Sequence, residues 1–141
     1  MSVKSSISGI VTIAILSIVA ANVVADTARD QAIKSGARQL NAGEIARLVV
    51  GKTVTAQSGN KKFLFYYGND NVLRGRLLGG NWSDTGYYGI TDDDRICLSV
   101  TKDKGRLRCL SLLNLNGTVR KYNVQGKMTF ELLEYQDGNQ L

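Results

Sequence analysis

Residues 95–113, RICLSVTKDKGRLRCLSLL, read as two short apolar strands about a polar turn. A turn centred on Asp103 sets Cys97 directly across from Cys109. Opposed residues on antiparallel strands lie about 4.5–5.5 Å apart at Cα, close to the separation that a disulfide accepts. A structural bridge across a hairpin is therefore expected. The spacing is not that of a Cys-x-x-Cys redox pair, and two thiols without histidine do not make an ordinary zinc site. The same register places Arg106 and Arg108 on the face shared by Ile96, Leu98 and Val100. A bulge near Gly105, or arginine stems lying along a rim, would accommodate them.

Outward from this hairpin the same pattern repeats. Strands are expected at 52–56, 62–67, 72–78, 85–90, 95–100, 106–113, 118–124 and 129–135, each bounded by residues that tolerate turn geometry. The connections are too short for crossover helices, so neighbours should pair antiparallel. The fold class is accordingly all-β: a meander of about eight strands, curled or closed into a lipocalin-like barrel, because open edges invite aggregation. Alternation assigns faces. Leu73, Gly75 and Leu77 point in and Arg74 and Arg76 out, while Phe130 and Leu132 point in and Thr129 and Glu131 out.

Ahead of the strands, residues 40–50 carry helix signals. Asn41 and Glu44 fit a capping box, Leu40, Ile45, Leu48 and Val49 form an apolar stripe, and Gly51 suits the left-handed stop. Residues 26–39 are polar and read as a linker or loosely helical stalk, so the β-rich domain should occupy 40–141 and fold from Leu40 onward. Residues 1–25 have the organisation of a secretory signal: Lys4, then an apolar run, then Val23-Val24-Ala25 before Asp26. Residues 7–25 are uncharged, and as a helix would reach about 28 Å, nearly a bilayer core. The segment is thus either a signal peptide cut after Ala25 or a hydrophobic anchor helix, and both readings put the rest of the chain in the periplasm, soluble or tethered to the inner membrane.

Histidine is absent, which removes Ser-His-Asp and Cys-His chemistry and leaves only carboxylates, Lys or Tyr for catalysis. No such constellation stands out, so no enzyme activity, cofactor or metal site is expected. Asp92-Asp93-Asp94 is read as a solvated turn rather than a calcium loop, which needs convergent oxygens at other spacing. Asn81-Trp82-Ser83 and Asn116-Gly117-Thr118 fit the glycosylation pattern and are read as turns. The net charge of +6 describes a mildly basic surface without a basic run.

Several short motifs in order resemble a family of small exported bacterial proteins, the one labelled domain of unknown function 995. They are residues 40–45 (LNAGEI), 51–54 (GKTV), 66–75 (YYGNDNVLRG), 86–88 (GYY), 93–98 (DDRICL), Arg108-Cys109 and 137–141 (DGNQL). The chain departs from that pattern at Tyr87-Tyr88, where the family prefers a tryptophan, and at Asp70-Asn71, where it often has Asp-Gly. The resemblance implies a signal peptide, a β-rich fold and a paired-cysteine hairpin, and no known activity.

The aromatics of the second and fourth strands mark the candidate ligand or partner surface: Phe63, Phe65, Tyr67, Tyr87 and Tyr88, with Arg74 and Arg76 beside them. The function expected is a non-catalytic periplasmic binding or envelope-interaction module of unknown ligand, its partner being either a small apolar ligand or an integral membrane complex. The alternative is an accessory subunit of an inner-membrane complex, touching the membrane through residues 7–25. Nucleic acid is not an expected partner.

Overall fold

A computed structural model describes residues 2–5, 9–10 and 13–141. Its elements are α1 (Ala28–Lys34), β1 (Arg38–Gln39), α2 (Ala42–Val49), β2 (Lys52–Ser58), β3 (Lys61–Tyr67), β4 (Val72–Leu77), β5 (Ser83–Ile90), β6 (Ile96–Val100), β7 (Arg108–Leu115), β8 (Thr118–Tyr122) and β9 (Met128–Asp137). Strands β2 to β9 pair in chain order, all antiparallel, and β9 returns to β2, closing an eight-stranded barrel. The expected meander is present with all eight strands. Their ends differ where side chains impose turns. Asn123 accepts from the backbone N–H groups of Gln125 and Lys127, so β8 stops at Tyr122 rather than 124. Lys104 and Gly105 have φ of 56° and 68°, which holds Arg106 and Leu107 in the loop and starts β7 at Arg108.

Helix α2 forms as its sequence dictates. The Asn41 side chain accepts from the Glu44 N–H, and the Glu44 carboxylate accepts from the Asn41 N–H. Gly51, at φ 74°, follows the helix. Asp94 adds a second anchor by accepting from the Ala42 N–H at 2.8 Å. Ile45 and Val49 are completely buried in one cluster with Val54, Tyr67, Leu73, Tyr88, Ile96 and Leu112. This cluster fills the end of the barrel where β2 begins and β3 ends.

Residues 26–39 are more structured than a linker. Thr27 and Asp30 make their own capping box on α1. β1 pairs with Leu113 and Asn114 of β7, on the edge that the short β6 leaves free. The Arg29 N–H donates to the Gly126 carbonyl. This strap lies over the outer wall near Leu113 and Tyr122, outward-facing residues that are only 2% and 3% exposed. Its sequence carries no continuous apolar stripe because it contributes mainly backbone hydrogen bonds and capping groups.

Of the hydrophobic segment at 7–25, residues 7, 8, 11 and 12 lie outside the described residues. Residues 13–25 are exposed and belong to neither helix nor strand. Among the described residues, no helix is long and apolar enough to cross a membrane.

Cys97 faces Cys109 in register and the two are bonded, with Cα atoms 4.0 Å apart. The bridge lies where the barrel is least well tied: β6 and β7 share three residue pairs, fewer than any other adjacent strands of the barrel. Non-reducing mass analysis should show one linked peptide pair and a mass two hydrogens below that of the reduced form. Reduction should destabilise the domain by about 3 kcal/mol or less, read as a lower Tm. An unchanged Tm would mean that the backbone ladder alone holds this seam.

Candidate functional site

The end of the barrel opposite α2 is open, and a cavity of about 850 Å³ runs from its mouth towards the buried cluster. That size falls in the range of about 300–1,000 Å³ usual for small-molecule pockets. Its wall is built by strand alternation. Lys61, Phe63, Phe65 and Tyr67 come from β3, Leu73 and Leu77 from β4, Leu98 and Val100 from β6, and Lys121 and Phe130 from β8 and β9. Trp82 enters from the turn before β5.

Four rings form one group. Phe63 lies 5.8 Å from Phe65, 5.5 Å from Trp82 and 5.7 Å from Phe130, and Phe65 lies 5.6 Å from Phe130. Most meet edge to face, the arrangement favoured by the aromatic quadrupole. Gly75, opposite Phe65 in the β3–β4 ladder, makes this possible: a Cβ there would come within 2.7 Å of the Phe65 ring. All four rings are only half-buried, so their free faces line the cavity rather than filling it.

The floor is polar at one point. Lys121, 2% exposed, donates from Nζ to the Tyr67 hydroxyl at 2.5 Å. Its ammonium lies 5.1 Å from the Tyr67 ring centre and 6.0 Å from that of Phe65. No carboxylate pairs with it among the described residues. Beneath it, Tyr67 meets Tyr88 edge to face at 5.1 Å, and the Tyr88 hydroxyl donates to the Gly68 carbonyl. Burial pushes the phenol of Tyr88 up, and burial, with a smaller contribution from Tyr67, pushes that of Tyr135 up to about 12. Both are neutral at physiological pH.

The mouth is basic. Arg106 and Arg108 do face the interior side, as the cysteine register requires, and both lie at the rim where Asp103 accepts from them. Those hydrogen bonds, Arg108 first, hold the Asp103 carboxyl down at about 2. Lys61 and Lys102 join them around the opening, against the acidic side chains Asp84 and Asp103. Leu107 and Val124, 69% and 67% exposed, form an apolar lip.

The rim clamp has a pH signature. A carboxylate with a depressed folded pKa adds stability above its unfolded value, near 3.9, and this is lost as pH falls towards the folded value of about 2. Asp103→Asn should therefore lower Tm slightly at neutral pH, and the gap to the unaltered protein should close as pH drops from about 4 to about 2. A gap independent of pH would argue against the clamp.

Of the residues marked from sequence, Phe63, Phe65 and Tyr67 come together on the cavity wall. Tyr88 lies in the packed end below it. Tyr87 is 70% exposed on the outer surface. Arg74 and Arg76 alternate with the inward Leu73, Gly75 and Leu77, so they point away from the cavity. Trp82, Phe130 and above all Lys121 were not marked. Lys121 stands two residues from the buried Val119, so strand parity does place it inside. The three aspartates at 92–94 serve the turn: Asp93 pairs with Arg95 and Asp94 holds α2. Among the described residues, no group of side chains has metal-binding form.

No protein-family model, curated protein or solved structure matches this chain.

Proposed function

We propose that the protein is a non-catalytic binding module that carries a small apolar ligand in its barrel on the periplasmic side of the inner membrane. The observation that carries this reading is the half-open cavity with four unfilled aromatic faces. A barrel needing only stability would pack these rings against one another and against further side chains. The disulfide is compatible with an oxidising compartment. The resemblance to the domain of unknown function 995 family supports export and names no ligand.

The boundary between tail and fold supports the location. Residues 13–25 are exposed throughout, with Ile15, Leu16, Ile18, Val19, Val23 and Val24 each at least 85% exposed, whereas Thr27 already caps α1. Such an apolar stretch is not stable in water, so it is either removed after export or held in lipid. N-terminal sequencing of native protein separates the two: a start near Asp26 gives the free module, and an intact start gives a subunit anchored at an inner-membrane complex.

Binding is tested with the neutral fluorescent probe N-phenyl-1-naphthylamine. Trp82 is the chain's single tryptophan and lines the cavity, so its emission reports occupancy directly. Saturable probe binding with quenching of Trp82 is expected. Absence of both would remove the binding reading.

A further inference from the structure

We infer that the ligand is an amphiphile with one acidic head, whose carboxylate pairs with Lys121 and Tyr67 on the cavity floor while its apolar body lies among Phe63, Phe65, Trp82 and Phe130. This deepens the proposed function and rests on the cavity being a binding site.

Three observations carry it. The first is that Lys121 is a buried cation without an anion. Its side chain projects from β8 into the barrel, 2% exposed, and one neutral hydroxyl is its hydrogen-bond acceptor among the described residues. An ammonium has three donors, and burying it is unfavourable unless it is paired. A structural lysine is ordinarily paired within the fold. Its neighbours inside the barrel are the rings of Phe65 and Tyr67 and the cross-strand Phe130, and it lines the cavity, so a pairing group would reach it through the cavity.

The second is the geometry of the donors. Tyr67 accepts from Lys121, so its own hydroxyl hydrogen is left to donate. Lys121 Nζ and Tyr67 Oη, 2.5 Å apart on the cavity lining, thus offer two adjacent donors, which suits the two oxygens of a carboxylate. The third is charge. The basic side chains from mouth to floor are Lys61, Lys102, Arg106, Arg108 and Lys121, against Asp84 and Asp103, the latter shared by Arg106 and Arg108. This field draws an anion in and opposes a cation. The order of the lining, basic at the rim, aromatic along the wall and cationic at the floor, fits an acid that enters head first.

The test displaces N-phenyl-1-naphthylamine from the purified protein with dodecanoate, dodecanol and dodecylamine, which share one chain and differ only in the head. Dodecanoate is expected to displace the probe at about tenfold lower concentration than dodecanol, as suits one charge-assisted hydrogen bond, with dodecylamine weakest. Lys121→Met and Lys121→Gln should each bring dodecanoate to within about twofold of dodecanol, read as the ratio of the two displacing concentrations within the same variant, so that any change in probe affinity cancels. Equal displacement by dodecanoate and dodecanol from the unaltered protein would overturn the inference and leave the cavity reading standing. A persistent dodecanoate preference in both folded variants would also overturn it, by locating the acid at the rim. Failure of the probe itself to bind would instead count against the proposed function. Where neither Lys121 variant folds, Tyr67→Phe, which removes the second donor of the pair, serves instead: it should reduce the dodecanoate preference, and an undiminished preference would place the acid at the rim.

Discussion

Gly86→Ala is expected to prevent the barrel from closing properly, at a cost of about 3 kcal/mol or more, the upper end of what overpacking does. Gly86 stands in β5 between Leu73 of β4 and Val100 of β6. A Cβ at this position would lie 2.0 Å from the Ser99 carbonyl oxygen and 2.7 Å from the Val100 Cα. Both obstacles are backbone, so no rotamer change relieves them, and β6 would have to move away from β5. That movement falls on the neighbour of the weakest seam, since β6 is held on its other side by three pairs and the disulfide. Gly89, in the same strand, is the control: nothing lies within 4 Å of its virtual Cβ. Gly89→Ala should be neutral or slightly stabilising, because alanine has less conformational freedom to lose on folding. Denaturant unfolding of the two variants side by side measures the contrast. Equal stabilities would mean that β5 and β6 can separate without loss, and the barrel would then not depend on that contact.

The contrast between these glycines also shows what can be read from a sequence of this kind. Strand number, order and face were legible because period-2 alternation and turn residues are local signals. Leu73, Gly75 and Leu77 face inward as the alternation requires, and Cys97 meets Cys109 because counting from Asp103 needs no tertiary information. Closure and cavity are not local. Whether an inward glycine is an empty site or a tight one depends on the strand beside it: Gly75 accommodates a ring and Gly86 a carbonyl. The aromatics of β3 stood out by density, but the group they form needs Trp82 from a turn and Phe130 from the last strand, 48 residues apart. Lys121 was hidden by the ordinary rule that lysine is outside; only its parity with Val119 spoke against it. The strap at residues 26–39 was hidden for the opposite reason. Its attachment runs largely through backbone groups, such as the Arg29 N–H donating to the Gly126 carbonyl and the β1 pairing with β7, which side-chain patterns do not record.

Ile45→Ala is expected to cost about 2–5 kcal/mol, the usual penalty for removing a large aliphatic side chain from a packed core. Ile45 is wholly buried and belongs to the cluster where α2 closes the barrel. Its helix is only eight residues long, too short to be stable without its packed face. The capping box has a smaller effect: Asn41→Ala should cost about 1 kcal/mol, because water can take over an exposed N–H. Denaturant unfolding of the two variants should therefore give a difference of at least about 1 kcal/mol in that order. The same pair of variants separates the two halves of the molecule. Ile45 lies in the packed end and does not line the cavity, whose walls begin at Tyr67, Leu73 and Lys121. Measured at a temperature where the variant is still folded, Ile45→Ala should bind N-phenyl-1-naphthylamine with affinity within about twofold of the unaltered protein. A large loss of stability with binding retained would assign stability to the α2 end and ligand chemistry to the open end. A parallel loss of binding would instead mean that the floor at Tyr67 and Lys121 is set by the packing beneath it.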